Sequence, residues 1–547
     1  MTISGIDLAV IVAYLGGILF VGLWSVRKVR HQDSESYFLA GRNLKWPVVG
    51  AALFASNIST IHMIGLAQDG YNGGLAVGNF EWMAAFTLVL LSLIFVPIYF
   101  KARLTTLPEF MEKRYHPIAR TILAVMFVLS AMLIHIGISL YAGAAVFENF
   151  FGIPAWASIA AISGITLLYT VVGGLRAVVV TETLQTCILL AGAAIITIIA
   201  VTKLPDVGIH TYDDLVAAAK PNQMSIINIP GEEGYNPVFS WYAFLLGFPI
   251  LGLWYWCTDQ TIVQRVLGAE TLKDAQHGAL FAGFLKISPP FLMAFPGVLA
   301  YVLFKDKIGE DASAALPTLI MELLPTGLVG LMAAALLAAL MSTIAAALNS
   351  TGTLVAVDIA KHIKSDLTED QQVLIGRVSS VIVMILAIAW STQGGRFGSI
   401  FEAINKMPAQ FIAPPIATVL LWGVFWRRGT TQAGIGTLLL GFLAGLVIFM
   451  FDMGFEFLGG VQYISDPEKG LGVGFLLQAF FYFCILSAVY VIISLSTPPP
   501  RPEQIEGITW EKPYHFLTRT EVPGLTDPRI IGATLIAILC LLYFLIQ

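Results

Sequence analysis

Ser56, Asn57, Ser59, Thr60 and His62 crowd seven residues of the stretch FASNISTIH, while Glu81, Lys286 and the adjacent pair Ser342 and Thr343 stand in other stretches that are otherwise apolar. Hydroxyl and carbonyl oxygens are the ligands of hard cations. Asn, His, Glu and Lys side chains together offer the donors and acceptors that a hydroxylated solute needs. Tyr255 and Trp256, in LWYWCTD, add broad faces suited to the C–H surface of a sugar ring. Each group has a plainer alternative: a polar seam between helices, an acid touching headgroups, an aromatic belt at the membrane interface, or a serine bonded to its own i−4 carbonyl. Lys286 fits the plain alternative least, because it lies well inside its apolar run and is followed by Pro289 and Pro290.

The elements that must position these groups are membrane spans. Of 547 residues, 57% are hydrophobic and 12% charged, about half the charged share of a soluble domain, and the mean hydropathy is +0.81. A crossing needs about 20 apolar residues. Fourteen candidates follow, at 6–26, 48–67, 76–100, 120–147, 154–172, 180–201, 241–258, 277–303, 324–356, 373–391, 404–425, 431–453, 472–495 and 527–545. Basic residues follow every odd-numbered span: Arg27, Lys28, Arg30, Arg42 and Lys45; Lys101, Arg103, Lys113 and Arg114; Arg176; Arg265 and Lys273; Lys361 and Lys364; Arg427 and Arg428; Arg501, Lys512 and Arg519. Cytoplasmic loops carry such an excess. Both termini are therefore expected outside, in the plasma membrane or, for a bacterial chain, the inner membrane. The first apolar run has no basic region before it and no cleavage site, as expected of a retained span.

The expected layout is a leading helix and cytoplasmic loop (1–47), a first five-span half (48–201), an acidic external loop (202–240), a second half (241–426) and trailing helices (427–547) with a Pro-rich cytoplasmic linker at 496–526. The two halves begin from opposite sides of the membrane, which permits an inverted repeat with interrupted helices. Cys187, Cys257, Cys484 and Cys540 are scattered singly and form neither a disulfide framework nor a metal motif. A channel would need a continuous hydrophilic lining, a membrane enzyme a partnered nucleophile or metal pattern, and a sensor an added signalling domain. None is evident, and nothing points to nucleic acid.

Two further places interrupt apolar runs. Glu182, in VVVTETLQTC, is either an auxiliary cation or proton ligand or a charge balancing Arg176, and Asn405, Lys406 and Pro408 break the eleventh span.

Assembled, these stretches resemble the sodium/solute symporter family, in its sodium/glucose cotransporter branch. The resemblance covers about residues 5–495 and is carried by FASNISTIHMIGLA, GNFEWMA, FVPIYFKARLTTLPEFMEKRY, VVGGLRAVVVTETLQT, WYWCTDQTIVQRVLGA, FLKISPP, ALMSTIAAALNSTGTLVAVDI and APPIATVLLWGVFWRR. It implies an all-α polytopic fold of fourteen transmembrane helices, with a LeuT-like inverted five-helix-repeat core, one leading helix and three trailing helices. It also implies a co-transported sodium ion held by the carbonyls of Ala55, Ile58 and Ala339 and the side chains of Ser342 and Thr343. The sugar site it implies comprises Asn57, His62, Glu81, Tyr255, Trp256 and Lys286, with Tyr255 as an inner aromatic gate.

The chain departs from that pattern in three places. Sugar carriers have a glutamine where this chain offers Asn405 or Lys406, and a lysine there would favour an acidic sugar. They have a polar side chain at the position of Gly252. Members with a second sodium have a serine at the position of Ala339, so one sodium per solute is expected. The expected function is sodium-coupled import of a glucose- or galactose-type monosaccharide by alternating access, with a uronate or inositol as the alternative.

Overall fold

In hydrocarbon each segment has to satisfy its own backbone groups, and this chain does so with helices. The computed structural model describes residues 4–27, 33–392, 406–454, 459–518 and 522–547. Among these the only β pairing is an isolated bridge between Leu44 and Ala269. Eleven described helices are long and apolar enough to cross a membrane.

In chain order the principal helices are α1 (Gly5–Ser25), α2 (Trp46–Asn57), α3 (Thr60–Gly73), α4 (Asn79–Leu90), α5 (Pro117–Ser130), α6 (Ala155–Thr202), α7 (Trp241–Cys257) and α8 (Gln260–Leu267). They continue with α9 (Leu272–Leu285), α10 (Leu328–Thr353), α11 (Glu369–Ser391), α12 (Ala413–Phe425), α13 (Thr431–Asp452), α14 (Phe475–Ser496) and α15 (Pro528–Leu545). The loop after α6 holds the short helix Tyr212–Ala218.

Four expected crossings differ from separate, simple helices. The 48–67 span is split into α2 and α3, with extended backbone at Ile58 and Ser59. The 241–258 span is the 17-residue α7, with Pro249 inside it. The 154–172 and 180–201 spans form the single 48-residue run α6, broken at Gly174. Unbroken, 48 residues would reach roughly 72 Å at 1.5 Å per residue, more than twice the ~30 Å hydrocarbon core. Gly174 has φ 57° and ψ −153°, and a Cβ there would meet the Tyr37 carbonyl oxygen at 2.3 Å. Only glycine fits such a position.

Helix ends are tied across the fold. Asp7, on α1, accepts from the N–H groups of Gly327 and Gly330 at 2.7 Å each. Its carboxylate thus satisfies amides left open at the start of α10. Arg114 is fully buried and donates to the carbonyls of Gly423 (2.9 Å), Trp426 (3.0 Å) and Gly429 (3.0 Å) at the end of α12. Two residues of the 496–526 linker reach the same end, Thr509 donating to the Gly423 carbonyl (3.0 Å) and the Trp510 N–H to that of Val424 (2.9 Å).

Candidate functional site

The α2–α3 break is the centre of the site. A continuous helix would pair the Ser59 N–H with the Ala55 carbonyl. Here that N–H turns to His62 Nδ1 (3.3 Å), which also meets the Ser59 hydroxyl at 2.9 Å. The Ala55 carbonyl instead accepts from the Ser342 hydroxyl at 2.8 Å, and that of Ser56 accepts from Thr343 at 3.3 Å. Both hydroxyls also reach the Ala339 carbonyl, at 2.9 and 3.2 Å. Thr60 donates to the Leu336 carbonyl at 2.6 Å, which seats α3 on the same face of α10.

Four of the five oxygens expected to hold sodium, those of Ala55, Ala339, Ser342 and Thr343, are thus gathered within hydrogen-bonding range. Ile58 lies at the break with φ −75° and ψ 109°, and neither hydroxyl bonds its carbonyl. This donor set is all oxygen, two hydroxyls among carbonyls, which suits a hard monovalent cation.

Against the cradle lies a cavity of about 180 Å³, whose wall includes Asn57, His62, Glu81, Tyr255, Trp256 and Lys286. Six of the eight residues expected around the solute line it. Lys286 ends α9, where the following Pro289 and Pro290 interrupt the span, and a helix C-terminus favours a cation. Its buried ammonium donates to Glu81 Oε2 and Asn57 Oδ1 and stands 5.2 Å from the Trp256 ring centroid. Glu81 occupies the first turn of α4, which favours an acid. Thr343 also lines the cavity, so the two sites share a wall at residues 55–59 and Thr343.

Sequence reasoning missed several members of that wall. His135, on a π-helical turn over Ala131–Ile138, lines it with Phe80, Phe248 and Pro408. Its Nε2 is 3.4 Å from Asp259 Oδ2, and its ring lies 6.0 Å from that of Tyr255. The signal was a lone histidine in AMLIHIGIS, in the middle of an apolar run. Gly252 also lines the cavity, and a Cβ there would meet the Thr87 hydroxyl oxygen at 2.5 Å. Thr87 thus takes the space of the absent polar side chain.

Two expected residues have partners of their own. Lys406 is buried away from the cavity wall, with its ammonium 3.2 Å from the Asp452 carbonyl oxygen and 3.6 Å from its carboxylate. Asp452 ends α13 and also accepts from Gln410 (2.7 Å), Gln478 (3.1 Å) and the Ser465 hydroxyl (2.6 Å). That network holds the lysine against the trailing helices. Glu182 is bound by Arg265, Nη2 at 2.6 Å and Nε at 3.3 Å, with both side chains fully buried. Its counter-charge is Arg265, and Arg176 is exposed. Asn405 lies outside the described residues.

Residues 37–445 match the family described as "Sodium:solute symporter family". The Sodium/myo-inositol cotransporter 2 of Bos taurus is 35% identical over 96% of this chain and 82% of its own length. This chain belongs to the sodium:solute symporter family. The Sodium/glucose cotransporter 1 of Mus musculus is also 35% identical, over 90% of this chain and 79% of its own. The solved structure of a Na+-coupled sialic acid symporter, in a substrate-bound outward-open state, shares the fold with a TM-score of 0.74. It is 18% identical and is covered over 99% of its length by 91% of this chain. A nucleobase-cation-symport-1 family transporter follows with a TM-score of 0.55 at 14% identity. As a sodium:solute symporter the protein is a multi-pass membrane transporter, sodium is its co-transported ion, and its family and fold are those of transporters rather than enzymes.

Proposed function

We propose that this symporter imports a neutral, ring-shaped polyhydroxy solute, a hexose or an inositol, with one sodium per solute. The observation that carries the solute class is the bonding of Lys286 to both Glu81 and Asn57 inside the cavity. Among the described residues of the wall, the one lysine is already matched by the one glutamate, so that ammonium is not left free to bind a carboxylate. Groups that alternate donor and acceptor remain, and a hydroxyl uses both. The second cation that would favour a uronate, Lys406, faces Asp452 instead. The names of the relatives, which carry myo-inositol and glucose, support the same class.

In the proposed cycle, sodium binds the Ala55, Ile58, Ala339, Ser342 and Thr343 oxygens and holds the α2–α3 break against α10. This fixes Asn57 and His62 for the solute, which closes against Tyr255 and Trp256 before both leave inward. Each ligand then raises the affinity of the other by one common factor. A potential of 100 mV contributes about 2.3 kcal/mol per sodium charge moved. The Glu182–Arg265 pair supports a single sodium, because the acid already has a matched charge. Fourteen crossings, with two inverted halves at 48–201 and 241–426, follow if the α6 run counts as two and α2–α3 and α7 each as one. Both termini then face outward in the plasma or bacterial inner membrane.

Uptake into proteoliposomes containing only this protein tests the proposal, with labelled glucose and myo-inositol, an inward sodium gradient and a potassium control. Sodium-driven uptake of one or both, resistant to excess glucuronate, is the expected result. Sodium-driven glucuronate uptake alone overturns it.

A further inference from the structure

Asp69 belongs to neither the cradle nor the cavity. It lies on α3, seven residues after His62 and three after Leu66, and at 3.6 residues per turn the three share one face. His62 and Leu66 line the cavity. The same stripe continues to Gly73, where an added Cβ would meet nothing within 4 Å. Asp69 therefore stands on the same face of α3 as the cavity-lining His62 and Leu66, nearer the C-terminal end of the helix.

Its environment is unlike that of the other buried acids. Glu81 is held by Lys286, Glu182 by Arg265, and Asp358 by Arg120 and Thr106. Asp69 Oδ2 is buried and reached by no hydrogen-bond donor among the described residues. Lys220 comes to the same end of α3, but its ammonium donates to the carbonyls of Tyr71 (3.0 Å) and Asn72 (3.3 Å) and lies over the Tyr71 and Tyr301 rings. An acid without a partner at this depth is costly, and a positive ion beside it relieves that cost.

We propose that Asp69 is a transient docking station for sodium on its way from the C-terminal end of α3 to the Ala55–Ser342 cradle. The proposal rests on the sodium-driven import proposed above. One carboxylate with few companion ligands binds an ion weakly, as a station that must also release it requires. Its charge raises the local cation concentration and so the rate of capture. Because Oδ2 bonds no donor among the described residues, replacing the carboxylate by an amide removes the charge without removing a described hydrogen bond there.

The test is the sodium dependence of solute uptake in proteoliposomes for the unaltered protein, Asp69→Asn, Asp69→Ser and Asp69→Glu, at low and high choline chloride. The two neutral variants are expected to need about fivefold more sodium for half-activation at low salt, with solute half-saturation at saturating sodium unchanged. Choline chloride should shrink the difference by screening, and Asp69→Glu should stay near the unaltered protein. Unchanged sodium activation in both neutral variants overturns the docking station while leaving the symporter proposal intact. An unaltered protein with no sodium dependence overturns both.

Discussion

The Ser342 hydroxyl donates to the Ala55 carbonyl at 2.8 Å across 287 residues of sequence. The bond exists because α2 stops at Asn57 and leaves that carbonyl without its helical partner. An interruption that would be a defect in an ordinary span here brings oxygens from two helices together.

Changing Ser342 and Thr343 together to alanine should raise the sodium needed for half-maximal uptake by about tenfold or more, since charge-assisted contacts are the strong ones. The thermal midpoint in detergent should also fall, because the buried Ala55 and Ser56 carbonyls lose their donors, but the shift in sodium dependence should be the larger effect. Unchanged sodium activation in reconstituted double variant would remove both hydroxyls from the cradle.

Lys286→Ala leaves the buried Glu81 carboxylate without its ammonium, a loss of about 3–5 kcal/mol in comparable buried pairs. Reduced stability and a raised solute half-saturation are both expected. The double variant Glu81→Gln with Lys286→Met separates the two effects. Thermal stability should largely return while solute affinity does not; recovery of affinity would show that the pair only holds the fold.

The ratio of sodium to solute, measured from reversal potentials at several gradients, should be one in the unaltered protein. Glu182→Gln should leave it at one, at a cost in stability because Arg265 then lacks its matched charge. A ratio of two in the unaltered protein contradicts the single-sodium proposal.

Gly174→Ala tests the turn inside α6. Its φ of 57° and the Tyr37 carbonyl oxygen at 2.3 Å from a Cβ leave no room without backbone movement. A loss well beyond the ~1 kcal/mol of an ordinary left-handed alanine is expected, read as a lower thermal midpoint and less folded protein. A midpoint equal to the unaltered protein's would show that the turn adapts.

Much of the site was legible before any coordinates, and for one reason. In an apolar chain a polar residue has few uses, so Asn57, His62, Glu81 and Lys286 stood out, and all four line one cavity. The same logic could not find the partner of Lys406. Its partner Asp452 lies 46 residues later, at the end of a different helix, and no local pattern reports such a pairing. His135 carried as clear a signal as His62 but stood alone, without neighbouring polar residues to mark its span. The crossings at 154–172 and 180–201 were visible as two apolar stretches, whereas their junction through one glycine depended on Tyr37, far away in sequence.

The grip of Arg114 on the end of α12 also has a time dimension. Its acceptors, the Gly423, Trp426 and Gly429 carbonyls, lie as far as 315 residues downstream. At about 5–20 residues per second, the arginine leaves the ribosome on the order of 15–60 s before the helix end it will hold. During that interval its guanidinium needs other partners, and a position on the cytoplasmic side, as in the orientation proposed above, supplies water. Biogenesis thus favours placing this late-closing clasp at the membrane's edge, so that the early spans can be inserted long before the clasp shuts.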